Sequence, residues 1–166
     1  MEVVLGHKGI QDLIKYIDNI ERSMNSLIDD IEKALAKEGY QLLLANAPTR
    51  AIDGNQVGHV FKEAYKDGYR VVYSGQDVAY IEFGTGYIGE NQPYSDFEAL
   101  SKVGWEYDVN NHGVGGWYYK SQIDGQLKHS QGMAPEMPVY KSFVELSERA
   151  VYIIKEVFNA KFGSGT

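Results

Sequence analysis

Apolar residues recur at Ile10, Leu13, Ile17, Ile20, Met24, Leu27, Ile31 and Ala34, an unbroken alternation of three- and four-residue steps. A strand repeats every two residues and cannot use that spacing, so it predicts a helix with one continuous apolar seam. Ile14, Ile28 and Leu35 widen the seam into a stripe suited to a core or to a partner helix. On the polar side, Asp18 precedes Arg22 and Asp29 precedes Lys33 by four residues, the favourable order for helical ion pairs. Glu38-Gly39 interrupts the pattern, but Leu42, Leu43, Leu44 and Ala45 resume it before Pro48. A helix over about residues 9–46 would be roughly 55 Å long at 1.5 Å per residue. So long a rod in a chain of 166 residues is either a core helix covered in part by the rest of the chain, or one that also meets another subunit.

The remaining sequence sets the surroundings of that helix. Lys and Arg number 16 against 23 Asp and Glu, a net charge of −7. With 43% hydrophobic residues this is the composition of one globular domain. An acidic balance without any Lys/Arg cluster argues against sequence-specific nucleic-acid binding. There is no cysteine, which excludes disulfides, thiol catalysis and Cys-ligated zinc. No apolar run reaches the roughly 20 residues of a membrane span. The opening MEVVLGHKG lacks the basic start and apolar core of a signal peptide. The expectation is a soluble chain kept in the cytosol or released by lysis. The 13 tyrosines are unusual, and amphipathic aromatics suit interfaces as well as cores.

Beyond the helix, residues 48–60 are turn-rich and read as a loop. Residues 69–73 and 78–83 read as strands joined by Ser74-Gly75-Gln76-Asp77. Residues 84–93 read as a loop, and 95–103 as a short helical turn capped by Ser95 with Glu98 as its capping-box partner. Residues 105–109 and 116–123 flank an Asn-Asn-His-Gly turn, and Asp124-Gly125 marks a further hairpin into 126–129. Pro135, Glu136 and Pro138 open a last helix that keeps its spacing from Tyr140 to Phe158 and ends at Gly163. The predicted class is α+β: a small antiparallel sheet packed with a long N-terminal and a C-terminal helix. One domain spans 1–166, with 87–131 inserted as an extended hairpin arm.

Chemistry-bearing patterns are sparse. Gly84-Thr85-Gly86-Tyr87-Ile88-Gly89 matches a dinucleotide-binding glycine pattern, but Pro93 follows where a helix should propagate, so a tight turn is the better reading. His7, His59, His112 and His129 have no helical metal-ligand spacing. Asp77, Glu82, Glu106 and Asp108 could in principle supply a hydrolytic pair, but a chain of this size contains such acids by chance, and no nucleophile turn is present. Neither catalysis, cofactor nor metal is expected.

One element is specific. Ala79-Tyr80-Ile81-Glu82-Phe83-Gly84-Thr85-Gly86 resembles the Y-x-E-F/Y-G-T signature of the HK97 gp10-like group of phage neck and tail-completion proteins. The likeness extends to the amphipathic first helix ending in Ala47-Pro48, the Asp53-Gly54-Asn55 loop, the aromatic region that follows, and Gly132-Met133-Ala134-Pro135-Glu136-Met137-Pro138 before the last helix. It implies a non-catalytic structural protein of a tailed-phage virion, forming a homo-oligomeric ring, hexameric or dodecameric, in the neck or head–tail connector. A tail terminator is the alternative, and a small polysaccharide hydrolase a more distant one. The implied partners are further copies of the chain and other neck, connector or tail proteins. The implied location is the virion, with the host cytoplasm during assembly.

Tyr80, Glu82, Phe83, Gly84, Thr85 and Gly86 are then structural signature residues, and Gly84 and Gly86 are expected to act through positive φ. Tyr87, Trp105, Tyr107, Trp117, Tyr118 and Tyr119 are the candidate subunit interface. Strand alternation places Glu82 opposite Ile81 and Phe83, facing solvent or a partner, where its carboxylate would accept backbone hydrogen bonds.

Overall fold

The structure, a computed structural model, describes residues 7–48, 58–66, 68–75, 77–121 and 123–163, with the backbone alone for residues 7–10. The chain is α+β. Helix α1 (His7–Asn46) has 40 residues, about 60 Å at 1.5 Å per residue. It is followed by strands β1 (His59–Tyr65) and β2 (Gly68–Ser74), and by short helices α2 (Val78–Phe83), α3 (Gly86–Asn91) and α4 (Phe97–Val103). Strands β3 (Trp117–Lys120) and β4 (Leu127–Ser130) lead into α5 (Pro138–Phe162). Each sheet has two antiparallel strands: β1 with β2, and β3 with β4.

Helices α1 and α5 run antiparallel along a polar-flanked seam. Asn46 Nδ2 donates to Ser142 Oγ at 3.1 Å and Glu145 Oε1 at 3.2 Å. Arg149 donates to Glu38 at 2.7 Å, and at the far end Lys161 Nζ reaches Ser26 Oγ at 2.6 Å and Asp30 Oδ2 at 2.5 Å. The Lys161 contact holds the Asp30 carboxyl below the usual carboxylate range. Leu27, Ala36, Leu42 and Leu43 are buried on the covered half of α1. Gly39 does not break the helix. A Cβ there would come within 3.3 Å of Leu146 and 3.7 Å of Val71, so the missing side chain lets α5 and β2 approach. The β1–β2 hairpin packs on α1, with Glu63 opposite Arg70 in register and bonded to it at 2.6 Å.

Residues 78–83 are helical, not the strand read from Val-Ala-Tyr-Ile-Glu-Phe, and the hairpin through residues 74–77 does not form. In a run of six, spacings of two and of three or four both fit. Helical spacing sets Ile81 and Glu82 inward with Val78, and leaves Ala79 and Tyr80 outside. Strand β2 pairs instead with β1, whose first residues were read as loop. Residues 84–93 are not all loop either, because α3 opens at Gly86. The α4 cap is Asp96, one residue beyond Ser95, accepting from Ala99 N–H at 2.9 Å. Residues 105–109 form no strand, and the hairpin found is the second one predicted, turning through Asp124-Gly125. There Asp124 accepts from Gln126 N–H at 3.1 Å, a local bond that lowers its pKa. The Asp53-Gly54-Asn55 loop lies outside the described residues.

Candidate functional site

The signature turn is a junction of three chain segments, 81–88, 105–107 and 131–136. Thr85 N–H donates to Met133 O and Met133 N–H to Thr85 O, both at 2.9 Å, an isolated antiparallel bridge. Gly86 N–H donates to Tyr107 O at 2.5 Å, Thr85 Oγ1 to the same carbonyl at 3.1 Å, and Ile88 N–H to Gln131 O at 3.0 Å. Trp105 Nε1 donates to Gly84 O at 3.1 Å, and Glu136 N–H to Ile81 O at 2.8 Å. Gly84 has φ 78° and Gly86 φ 65°, as expected of residues acting through backbone geometry. The glycine-rich run does open a short helix, contrary to the sequence reading. Its first amides are given to Tyr107 and Gln131 carbonyls, and Gly89 N–H to Thr85 O.

Glu82 corrects the sequence reading most sharply. It is 5% exposed and faces inward. Its Oε1 accepts from Tyr94 OH at 3.0 Å and from Tyr140 N–H at 3.0 Å, and its Oε2 from Val139 N–H at 2.8 Å. Val139 and Tyr140 occupy the second and third positions of α5, where amides have no partner inside the helix. Met137, the capping residue, has φ 56° and no side-chain cap bond. Glu82 therefore supplies from α2 the cap that α5 lacks locally, with its charge at the positive end of the helix dipole.

Around this bond the aromatics interlock. Phe83 lies 5.0 Å from Tyr94 and 5.3 Å from Trp105, ring centre to ring centre, and Tyr94 lies 5.6 Å from Tyr140. Tyr80 is exposed and meets Trp105 edge-on at 5.7 Å. Tyr94 is buried, and desolvation raises its hydroxyl pKa well above the ordinary 10.0, with the Glu82 charge adding to it. Tyr73 is shifted the same way by burial and then by Glu82, and its buried hydroxyl has no hydrogen-bond partner among the described residues.

A pH dependence follows. The folded state favours neutral Tyr94, while the unfolded chain ionises near pH 10. This stabilisation is complete below about pH 10 and is lost as pH rises toward the folded pKa. Urea unfolding between pH 8 and 11.5 is expected to show that decline, and Tyr94→Phe is expected to flatten it while lowering stability at neutral pH.

The six candidate interface residues divide. Trp105 and Tyr107 are half-buried on their own chain, and the Tyr107 hydroxyl also accepts from Tyr94 N–H at 2.8 Å. Trp117 lies 5.0 Å from the His112 ring, and Tyr87 and Tyr119 are half-buried. Tyr118 stays exposed, 4.8 Å from His129. Tyr80, Tyr107, Trp117 and Tyr119 line one open groove of about 560 Å³ with Asp77 and Asp108. Asp108 accepts from Gly113 N–H at 2.7 Å and from the His112 ring at 2.9 Å, and the Gly113 bond leads the fall of its pKa.

Residues 104–130 thus include braces of the turn. Their deletion is expected to abolish cooperative thermal unfolding by circular dichroism, rather than to leave an intact folded monomer.

Among the described residues no three His, Asp or Glu side chains gather as a metal site, and no helix is long and apolar enough to cross a membrane. Comparison with protein-family models, curated proteins and solved structures finds no match to this chain. The braces that sequence reasoning missed are Gln131, Met133 and Tyr140. Only Met133 carried a signal, as part of the run from Gly132 to Pro138.

Proposed function

We propose that this chain is a structural subunit of a tailed-phage virion, assembling with copies of itself into a ring in the neck or tail-completion region. The observation that carries the reading is the apolar surface on the two long helices. Leu13, Ile14, Ile17 and Ile20 of α1 and Phe143, Val151 and Phe158 of α5 are each 47–66% exposed. Scattered apolar residues are ordinary on a monomer, whereas aligned stripes of this extent mark surfaces that association covers.

The signature resemblance points the same way. Its residues behave as fasteners: Glu82 spends both oxygens on hydrogen bonds within the chain, and the α3 amides are bonded to backbone carbonyls. Subunits that pair head to tail close into rings when the rotation per copy permits.

Size-exclusion chromatography with light scattering, followed by negative-stain microscopy, tests this. Closed rings of a multiple of 18.6 kDa are expected. A monomer at all concentrations, or turnover of a phage-relevant polysaccharide that Glu82→Gln abolishes, would overturn it.

A further inference from the structure

The seam of α1 is covered for only part of its length. Both covers stop at the same level: α5 ends where Lys161 meets Ser26 and Asp30, and the β1–β2 turn lies against Asn25 to Glu32. Residues 11–26 of α1 are all exposed. Among the described residues Phe162 laps onto this part, at the edge of a shallow groove with Tyr16, Ile20 and Met24. Yet Leu13, Ile17, Ile20 and Met24 continue the same three–four seam that buries Leu27. What fits there is a second helix lying along the line that α5 vacates.

Helix α5 carries the matching need. It turns Ser142, Glu145 and Arg149 toward α1, while Phe143, Val151, Ile154 and Phe158 form an exposed stripe centred more than a third of a turn round the helix from those three. That stripe spans 15 residues, roughly 22 Å, against roughly 16 Å for the uncovered α1 seam from Leu13 to Met24. The two do not pair along their length within one chain, because the α1 seam lies beyond the end of α5.

Taking about half of roughly 200 Å² for each of six exposed residues, the projecting α1 face offers on the order of 600 Å². That approaches the ~800 Å² per partner of a standard-size interface.

We infer that the projecting half of α1 docks on the outer α5 stripe of a second copy of this chain. The contact is heterologous: each copy gives its α1 seam to one neighbour and receives the other neighbour's on α5. Symmetric pairing of two α1 seams would leave the α5 stripe bare, which is why the head-to-tail contact is favoured. The inference rests on the proposed self-assembly for its partner, and not on the virion location.

Two double variants of the full chain test it: Ile17→Glu/Ile20→Glu on α1, and Val151→Glu/Phe158→Glu on α5. All four positions are exposed, and wild-type helix content by circular dichroism certifies the fold of each variant. Each alone is expected to run as an 18.6 kDa monomer, with association weakened at least a hundredfold. Mixed together, they are expected to form a one-to-one dimer and nothing larger, since one intact face remains on each. If the α5 variant still assembles while the α1 variant does not, the pairing is symmetric and the inference is wrong. If wild type and both variants all form rings, the faces are wrong and the ring reading survives. A monomeric wild type overturns both.

Discussion

Glu82→Gln is expected to lower the free energy of unfolding by about 2–3 kcal/mol, the range for losing a buried charge-assisted bond and stranding a donor. Glutamine keeps the shape but presents an amide nitrogen where a carboxylate oxygen stood. With its oxygen placed to accept from Tyr94 and Tyr140, the nitrogen faces Val139 N–H, donor against donor. The part-buried Val139 amide then loses its acceptor, and the favourable charge at the start of α5 is gone. For a chain of this size the thermal midpoint should fall by about 5–10 °C. Urea melts followed at 222 nm will measure it. A change below 0.5 kcal/mol, of the order of an ordinary surface substitution, would show that the cap contributes little.

Gly84→Ala should cost more, about 3–5 kcal/mol, from backbone strain and overpacking together. Gly84 has φ 78° and ψ 175°, a region open in practice to glycine alone. A Cβ would stand 2.8 Å from Met133 O and from Pro135, which are held by the Thr85–Met133 bridge and cannot move aside cheaply. Gly104→Ala is the mild control, in the ordinary left-handed region with ψ 36°. That residue also has positive φ, 65°, but its added methyl would meet nothing within 4 Å, so only about 1 kcal/mol of strain is expected. Equal losses at the two sites would refute the account of extra strain and crowding at Gly84.

How far the sequence could be read depended on the range of the interactions involved. Helix α1 declared itself through eight seam positions, and α5 through its proline start and regular spacing, because periodicity accumulates over many residues. The Asp124-Gly125 hairpin was equally local. The six residues of α2 were too few for a period to emerge. What decided their conformation was the burial of Ile81 and Glu82 against a helix start 57 residues downstream, which nothing nearby in the chain encodes. Tyr107 shows the same limit. Its aromatic character suggested an exposed interface, whereas its carbonyl accepts from Gly86 and Thr85 and its hydroxyl from Tyr94 N–H. Positive φ at Gly84 and Gly86 was legible because glycine is the one residue whose type states its backbone freedom.

The cover over α1 comes from the far end of the chain, and this has a consequence in time. Ribosomes add roughly 5–20 residues each second, so α5 emerges on the order of ten seconds after α1 is complete. Throughout that interval the inner half of α1, with Leu27, Leu42 and Leu43, has only the β1–β2 hairpin to pack on it and lacks its α5 cover. During synthesis the nascent chain therefore displays the α5-facing seam along a helix about 60 Å long, and completion of α5 shortens it to the segment before Asn25. Chains truncated anywhere before Pro138 would keep the α5-facing side of α1 exposed along its whole length and should aggregate rather than accumulate as soluble fragments.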